Sequence, residues 1–228
     1  EVLGEKPEKV IVKCSSNIIK NAKCVTVPNT NGLIGIDASA ITGILAGDAS
    51  KELEAISFVD PKYLDEIANL LKTDYCTVEL LETPVRLHII IEVYCGESSA
   101  TVEIKQAHTN ITKITKNNEI LFEQEESEDR YLGVFVDRNI LNVKDIYDFA
   151  NNVNIDDVKY LLDSQIEKNL AIAKEGLKGT YGVGIGKVLL NSYNNDISIK
   201  IKAHAAAASE ARMSGSPMPV VTNSGSGN

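Results

Sequence analysis

The sequence predicts an α+β fold, in which an antiparallel meander sheet is covered by helices and is followed by a helical region. Three observations lead to this prediction. Apolar and polar residues alternate between residues 85 and 104, as they do in half-buried strands. Two segments with helical features precede these strands, and helical spacing returns after Arg138. We therefore expect an α+β domain at residues 1–138 and a helical region at residues 139–228.

One strand and two helices are expected before the meander. Residues 9–15 alternate in the same way as a half-buried strand. Residues 33–47 are mostly small and apolar, which predicts a tightly packed helix that ends at Gly47. Asp60 is a favourable N-cap residue and Pro61 fits a first helical turn, so a second helix is expected from there to about Lys72.

The meander itself comprises several short strands separated by turn residues. The expected strands cover residues 77–80, 85–95, 100–104, 111–115 and 120–122. Such an antiparallel sheet commonly has one face packed and one face in contact with water, so we expect the two preceding helices to cover one face. The acidic segment 123–130 then predicts a solvated loop.

The carboxyl-terminal third is expected to be helical. Asn142 and Asn154 are predicted N-caps of helices at residues 143–151 and 155–175. Residues 203–213 form an alanine-rich segment, which predicts a helix that neighbouring backbones can approach closely. The apolar stripe of the second helix predicts its buried face, which consists of Val158, Leu161, Leu162, Ile166 and Leu170.

Composition excludes some functions. The 228 residues include 23 Lys and Arg against 32 Asp and Glu, a formal net charge of −9, so nucleic acid is not an expected partner. No apolar run approaches the roughly 20 residues of a membrane span, and no signal-peptide pattern is visible, so we expect a cytoplasmic protein that can form a homo-oligomer. The four cysteines form no C-x-x-C pair, which favours free thiols over disulfides or a metal site.

Alternate glycines occur at Gly182, Gly184 and Gly186. The spacing differs from the dinucleotide-binding fingerprint, and a helical segment rather than a strand precedes it, so we set that reading aside. Two interpretations remain. The glycines allow two helices to pack closely, which we favour, or they bring backbone N–H groups near an anion.

Two further segments have residues suited to chemistry. His108 lies at the end of a predicted strand and is a candidate base, although a hydrogen-bonded structural role is the alternative. His88 and His204 are expected to be structural. Residues 222–228 offer backbone donors, hydroxyls and amides without bulky side chains, which suits the binding of a carboxylate. The alternative for this second segment is a flexible linker.

Residues 205–228 (AAAASEARMSGSPMPVVTNSGSGN) resemble the signature of the iron–sulfur L-serine dehydratase alpha-chain and L-cysteine desulfidase family. In that family an alanine-rich helix precedes an acidic residue, Ala-Arg-Met, Pro-Val and then Asn-Ser-Gly-Ser-Gly-Asn. Three other stretches, at residues 17–32, 108–111 and 169–186, are similar in the same order. The similarity therefore extends over nearly the whole chain, and the carboxyl-terminal signature is its most specific part.

The resemblance implies a lyase that removes water or hydrogen sulfide from L-serine or L-cysteine and yields pyruvate and ammonia. It also implies a [4Fe–4S] cluster with one open iron that acts as a Lewis acid. Arg212 is expected to pair with a substrate carboxylate or, in a structural role, with Glu210. With His108 as the candidate base, the expected substrate-binding residues are Asn110, Arg212, Thr222, Asn223, Ser224, Gly225, Ser226, Gly227 and Asn228.

The chain departs from the family pattern at its cysteines. The family has a Gly-Cys-Thr-Glu-Pro segment and further cluster cysteines outside the region that this chain resembles, and none of its own four cysteines occupies a ligand position. We therefore expect the cluster ligands outside this chain, no cluster bound to it, and an inactive fragment of a longer enzyme. The alternative is a non-catalytic domain that binds an amino acid or carboxylate for regulation.

Overall fold

The structure, a computed structural model, describes residues 1–124, 130–131, 134–135, 138–193 and 196–221. The chain divides into two compact units, Glu1–Val134 and Phe135–Asn228. The first contains a sheet with helices and the second is built from helices, so the predicted α+β fold class is confirmed.

The sheet of the first unit has six strands, which are β1 Lys9–Cys14, β2 Cys76–Leu80, β3 His88–Cys95, β4 Ser98–Lys105, β5 Ile111–Lys116 and β6 Glu119–Glu123. Their order in the sheet is β2-β1-β3-β4-β5-β6. Strands β3 to β6 form an antiparallel meander as predicted. The prediction that residues 77–80 begin this meander is wrong, because they belong to β2, which runs parallel to β1 and is separated from β3 by it. Parallel neighbours need a long crossover connection, and the helices between β1 and β2 provide it.

Three α-helices belong to this unit: α1 Ser16–Ala22, α2 Ile36–Ala46 and α3 Leu64–Leu70. Helix α2 begins later than predicted because Gly35 has a φ of 109°, which no helix accommodates. Short 3₁₀ turns occupy Ala49–Glu54 and Pro61–Tyr63, and Asp60 caps the second of them as expected by accepting the Lys62 N–H. The buried core joins the helices to one face of the sheet through Val10, Val12, Cys14, Ile41, Val59, Ile67 and Tyr75.

His88 alternates along β3 with residues that pack on this core, and both of its ring nitrogens have partners. Its Nδ1 lies 3.1 Å from Thr83 Oγ1 and its Nε2 lies 2.8 Å from Glu103 Oε1. Thr112 donates a hydrogen bond to the other Glu103 oxygen at 3.0 Å. Burial raises the pKa of Glu103, but the hydrogen bonds from His88 and Thr112, together with the charge and hydrogen bond of Lys105, outweigh burial and hold this pKa below its usual value. His88 is therefore a structural residue of the sheet.

The second unit contains four α-helices: α4 Val143–Asn152, α5 Ile155–Gly176, α6 Ile185–Ser192 and α7 Ile197–Met213. The two predicted caps are confirmed, because the Asn142 side chain accepts the Asp145 N–H and the Asn154 side chain accepts the Asp156 N–H. Helix α7 starts six residues earlier than predicted, where Asp196 caps it by accepting the Ser198 N–H at 2.7 Å. Helix α7 packs against both α5 and α6.

Three short elements lie near the junction of the two units along the chain. Strands β7 Arg130–Tyr131 and β8 Val134–Phe135 pair with each other, and a 3₁₀ turn covers Arg138–Ile140. The greater part of the predicted acidic loop lies outside the described residues. Within the described ranges, no helix has the length and hydropathy that crossing a bilayer requires.

The predicted buried face of α5 is wrong. Leu161 is 62% exposed and Ile166 is 58% exposed, whereas the buried residues of α5 are Ile172, Ala173 and Gly176. Small residues form the contact between α5 and α7. On α7, Ala203, Ala207 and Ala211 are completely buried. A Cβ atom built on Gly176 would lie 2.0 Å from the carbonyl oxygen of Ala207, so only glycine permits this approach.

Candidate functional site

A cavity of about 460 Å³ lies between α5 and α7 in the helical unit. This volume is within the range of small-molecule sites. Its wall combines apolar side chains with a few polar ones, which is typical of pockets that bind and orient a small ligand. The polar residues of the lining are Gln165, Asn169, His204, Ser209 and Arg212.

The lining residues occur at helical spacing on two facing helices. On α7, His204, Ala208 and Arg212 are four residues apart, so they lie on successive turns of one face. On α5, Gln165 and Asn169 have the same spacing. Sequence reasoning assigned no binding role to Gln165, Asn169, His204 or Ser209. The spacing on the two helices was the available signal for these residues.

Asn169 joins α5 to the segment that follows α7. Its Nδ2 donates to the carbonyl oxygen of Val221 at 3.0 Å, and its Oδ1 accepts the Val221 N–H at 2.9 Å. The side-chain amide thus imitates a backbone pairing and satisfies both polar groups of Val221. Val220 also lines the cavity, so this pair of bonds holds the chain beside the cavity immediately before residue 222.

The charges in the lining are all positive or potentially positive. Arg212 carries a permanent charge, His204 can be protonated, and no Asp or Glu belongs to the described lining, although the whole chain has a net charge of −9. Arg212 also interacts within the fold, and its guanidinium has five N–H donors in all. The cavity is therefore suited to an anionic group.

The segment with alternate glycines has both of the features considered above, which are backbone N–H groups that bind an anion and close packing of helices. The carboxylate of Glu210 accepts the N–H of Val183 at 3.1 Å and the N–H of Ile185 at 2.8 Å, so backbone N–H groups do bind an anion, which is a side chain of the protein. Gly186 supports close packing, because a Cβ built there would lie 2.5 Å from the carbonyl oxygen of Ala203. Glu210 is thereby fixed to the amino terminus of α6.

The other predicted site residues are distributed as follows. His108 is exposed in the loop between β4 and β5, beyond the end of β4 at Lys105 and not at the strand end itself. Asn110 closes this loop, because its Nδ2 donates to the Lys105 carbonyl at 2.9 Å. Both residues belong to the first unit, whereas Arg212 belongs to the second. The predicted binding residues Thr222, Asn223, Ser224, Gly225, Ser226, Gly227 and Asn228 lie outside the described residues.

The cysteines do not fit an iron–sulfur site. Cys14, Cys24, Cys76 and Cys95 are free thiols, and the part of the chain that the structure describes contains no group of three metal-binding side chains. Burial raises the pKa of Cys14 to about 11, and burial together with the charge of Asp37 raises the pKa of Cys76 to about 11. Both shifts favour the protonated thiol over the thiolate that binds metals.

Replacing Asn169 with Asp tests how the chain is held beside the cavity. Asp keeps the acceptor for the Val221 N–H but presents a second oxygen to the Val221 carbonyl, so one hydrogen bond becomes a repulsion. We expect the free energy of unfolding to fall by about 1–3 kcal/mol and Val221 amide exchange to accelerate. Chemical denaturation and hydrogen exchange measure the two effects. Asn152→Asp, at an exposed helix end, is the control, and equal effects of both substitutions would contradict the prediction.

Comparison with known proteins identifies the family of this chain. A family model described as serine dehydratase alpha chain matches residues 30–228, so the chain belongs to this family and the resemblance seen in its sequence is confirmed. It is also similar to a UPF0597 protein of Lachnoclostridium phytofermentans, with 50% identity over all of this chain and 54% of the relative. A UPF0597 protein of Desulfitobacterium hafniense is 46% identical over all of this chain and 53% of the relative.

These relatives are longer than this chain. A third UPF0597 protein, from Fusobacterium nucleatum, is 43% identical over all of this chain and 54% of its own length. The chain thus spans about half the length of the curated relatives it matches, and the names of these relatives state no reaction. No solved structure gave a significant match to the chain.

Proposed function

We propose that this chain is the amino-acid-binding part of a lyase that converts L-serine or L-cysteine to pyruvate and ammonia, by elimination of water or hydrogen sulfide followed by hydrolysis of the enamine. Membership of the serine dehydratase alpha chain family supports the reaction class. The observation that carries the proposal is the α5–α7 cavity, in which Arg212 and His204 are the charged or titratable groups of the described lining.

Arg212 is the proposed partner of the substrate carboxylate. A guanidinium forms two parallel hydrogen bonds with a carboxylate, which fixes the orientation of the ligand as well as its position. The apolar part of the wall includes Ile166, Leu170, Ile172 and Val220. Ile172 is buried, whereas Ile166 and Leu170 are exposed, so part of the wall is shielded from water and ionic hydrogen bonds are stronger there.

The proposed reaction requires a base for the proton on the α-carbon. The α C–H bond breaks, its electron pair forms a double bond to the β-carbon, and the β-substituent leaves with the electron pair of its own bond. The enamine product then reacts with water to give pyruvate and ammonia. His108 remains the candidate base predicted from the sequence.

A [4Fe–4S] cluster would supply Lewis-acid chemistry to the leaving group in such a lyase. Because the described cysteines do not fit a cluster site, the role that we propose for this chain is confined to binding and orienting the amino acid. The cluster ligands, if the complete protein has them, must come from residues other than these cysteines.

The proposal is tested with the complete protein, purified without oxygen and supplied with L-serine or L-cysteine. We expect release of pyruvate and ammonia in equal amounts, with D-serine as the unreactive control. Stabilisation by L-serine or L-cysteine without pyruvate release would favour a second candidate, a regulatory domain that binds amino acids. The anion-suited cavity together with the unsuitable cysteines makes this second function worth testing. Neither stabilisation nor pyruvate release would contradict both functions.

A further inference from the structure

We propose that the protonation state of His204 selects the charge type of the ligand in the α5–α7 cavity. Neutral His204 favours an amino acid, whose ammonium group needs an acceptor. Protonated His204 favours a carboxylate without an amino group. This inference rests on the proposed function, since it assumes that the same cavity binds the carboxylate at Arg212.

The hydrogen bond of His204 fixes its tautomer. Its Nδ1 lies 2.8 Å from the backbone carbonyl oxygen of Lys200, one helical turn earlier. A carbonyl oxygen only accepts hydrogen bonds, so Nδ1 carries the hydrogen. In the neutral ring Nε2 therefore has a lone pair and accepts, whereas in the protonated ring Nε2 donates.

The charges around His204 leave an ammonium group without an acidic partner in the described lining. Helix α5 contributes the uncharged Gln165 and Asn169, and α7 contributes the cation Arg212. Glu210 is turned to the start of α6, where it accepts two backbone N–H groups. Neither α5 nor α7 thus places a carboxylate in this lining that an ammonium group could pair with.

The other polar side chains of the lining have other interactions. Both polar atoms of the Asn169 amide bind Val221. Gln165 and Ser209 also interact within the fold. We assign the ammonium group to Nε2 of neutral His204, because the bond between Nδ1 and the Lys200 carbonyl makes Nε2 the accepting nitrogen of this ring.

His204 and Arg212 lie on one face of α7, where they can contact neighbouring groups of one small ligand. They are eight residues apart on α7, which corresponds to about 12 Å between their Cα atoms. The two side chains and a three-carbon ligand can span this separation. The ligand carboxylate then lies at Arg212 and its amino or oxo group lies towards His204.

The two protonation states have opposite effects on the two kinds of ligand. Protonation removes the acceptor and places a second cation near the ammonium group, which weakens the binding of an amino acid. The same added charge attracts a ligand that carries only a carboxylate. Two positive charges within hydrogen-bonding reach of each other repel strongly. We therefore expect the ratio of the two affinities to change by about tenfold or more between neutral and protonated His204.

The experiment measures binding of L-alanine and pyruvate to the complete protein by calorimetry between about pH 5.5 and 8.5, the range in which an imidazole group ordinarily changes its charge. L-Alanine has no β-substituent to eliminate and serves as the amino-acid probe. We expect the affinity for L-alanine to rise with pH and the affinity for pyruvate to fall. His204→Gln should abolish both trends. The control variant Lys202→Gln, which changes an exposed residue of the same helix outside the cavity lining, should retain both trends.

The outcomes separate this inference from the proposed function. If both ligands bind and Arg212→Gln weakens both, but the trends with pH persist in His204→Gln, the role of His204 is wrong and the proposed binding site stands. If the affinities for L-alanine and pyruvate change with pH in the same direction, the role of His204 is also wrong and the proposed binding site stands. If neither ligand binds at any pH, both proposals fail.

Discussion

Replacing Arg212 with Gln is expected to weaken the binding of L-serine and L-alanine by about 10- to 150-fold. Hydrogen bonds to charged groups contribute about 1.5–3 kcal/mol, and 1.4 kcal/mol corresponds to a factor of ten in affinity. Arg212→Lys keeps the positive charge but loses the planar pair of donors, so we expect an intermediate loss. Calorimetric titration of the folded variants measures these affinities directly.

Lys202→Gln is the matched control for Arg212→Gln. It removes the same charge from the same helix, but Lys202 is exposed and does not line the cavity. We expect the affinity of this variant for L-serine and L-alanine to differ by less than about twofold from that of the unaltered chain, since exposed charges contribute little. Equal weakening by the two substitutions would mean that the overall charge, and not a contact at Arg212, attracts the ligand.

Replacing Gly176 with Ala is expected to produce the largest loss of stability in the helical unit. The added methyl group would lie 2.0 Å from the carbonyl oxygen of Ala207, and backbone cannot move aside as a side chain can. Helices α5 and α7 must therefore separate, which opens the contact that builds the cavity. We expect a loss of at least about 1–3 kcal/mol in the free energy of unfolding, measured by urea denaturation.

Gly43→Ala provides the control for that experiment. Gly43 lies inside α2, and a Cβ built there meets no atom within 4 Å. Alanine also favours the helical conformation by roughly 0.5–1 kcal/mol over glycine, so we expect this variant to be at least as stable as the unaltered chain. A Gly176→Ala variant that unfolds at the same urea concentration as Gly43→Ala would show that α5 and α7 can shift apart at no cost.

The elements of the fold were predictable where local chemistry determines them. Alternation placed β3 to β6, and the Asn142 and Asn154 side chains marked two helix starts. Long-range pairing was not predictable in the same way. The alternation in β1 shows which residues face the core, but it does not reveal that β1 runs parallel to β2.

The buried face of α5 shows the same limit. Hydrophobic periodicity predicted that the leucine-rich stripe of α5 is buried. In the structure, the alanines of α7 pack instead against the stripe of α5 that contains Ala173 and Gly176. Close approach of backbones compensates for the small side chains. A pattern of hydrophobicity alone does not report how closely two helices can approach each other.

The candidate site was predictable only in part. Arg212 was selected through the family resemblance, and it does line a cavity. Asn169 lies within a stretch that the resemblance covered, but its role depends on Val221, 52 positions away along the chain. His204 was expected to be structural because its surroundings in the sequence are alanines, and only the packing of α5 against α7 places it at a cavity.

The attachment of Glu210 to the start of α6 has an evolutionary consequence. The Glu210 carboxylate accepts two backbone N–H groups from the glycine-rich segment. Gly182 and Gly184, which precede the two donor residues, have positive φ angles. A mutation that removes the carboxylate at position 210 would also remove the acceptor of these two N–H groups, so the glycine conformations would no longer support this contact. We therefore expect the acid and the two glycines to be inherited together, and to be lost together in lineages that abandon the contact.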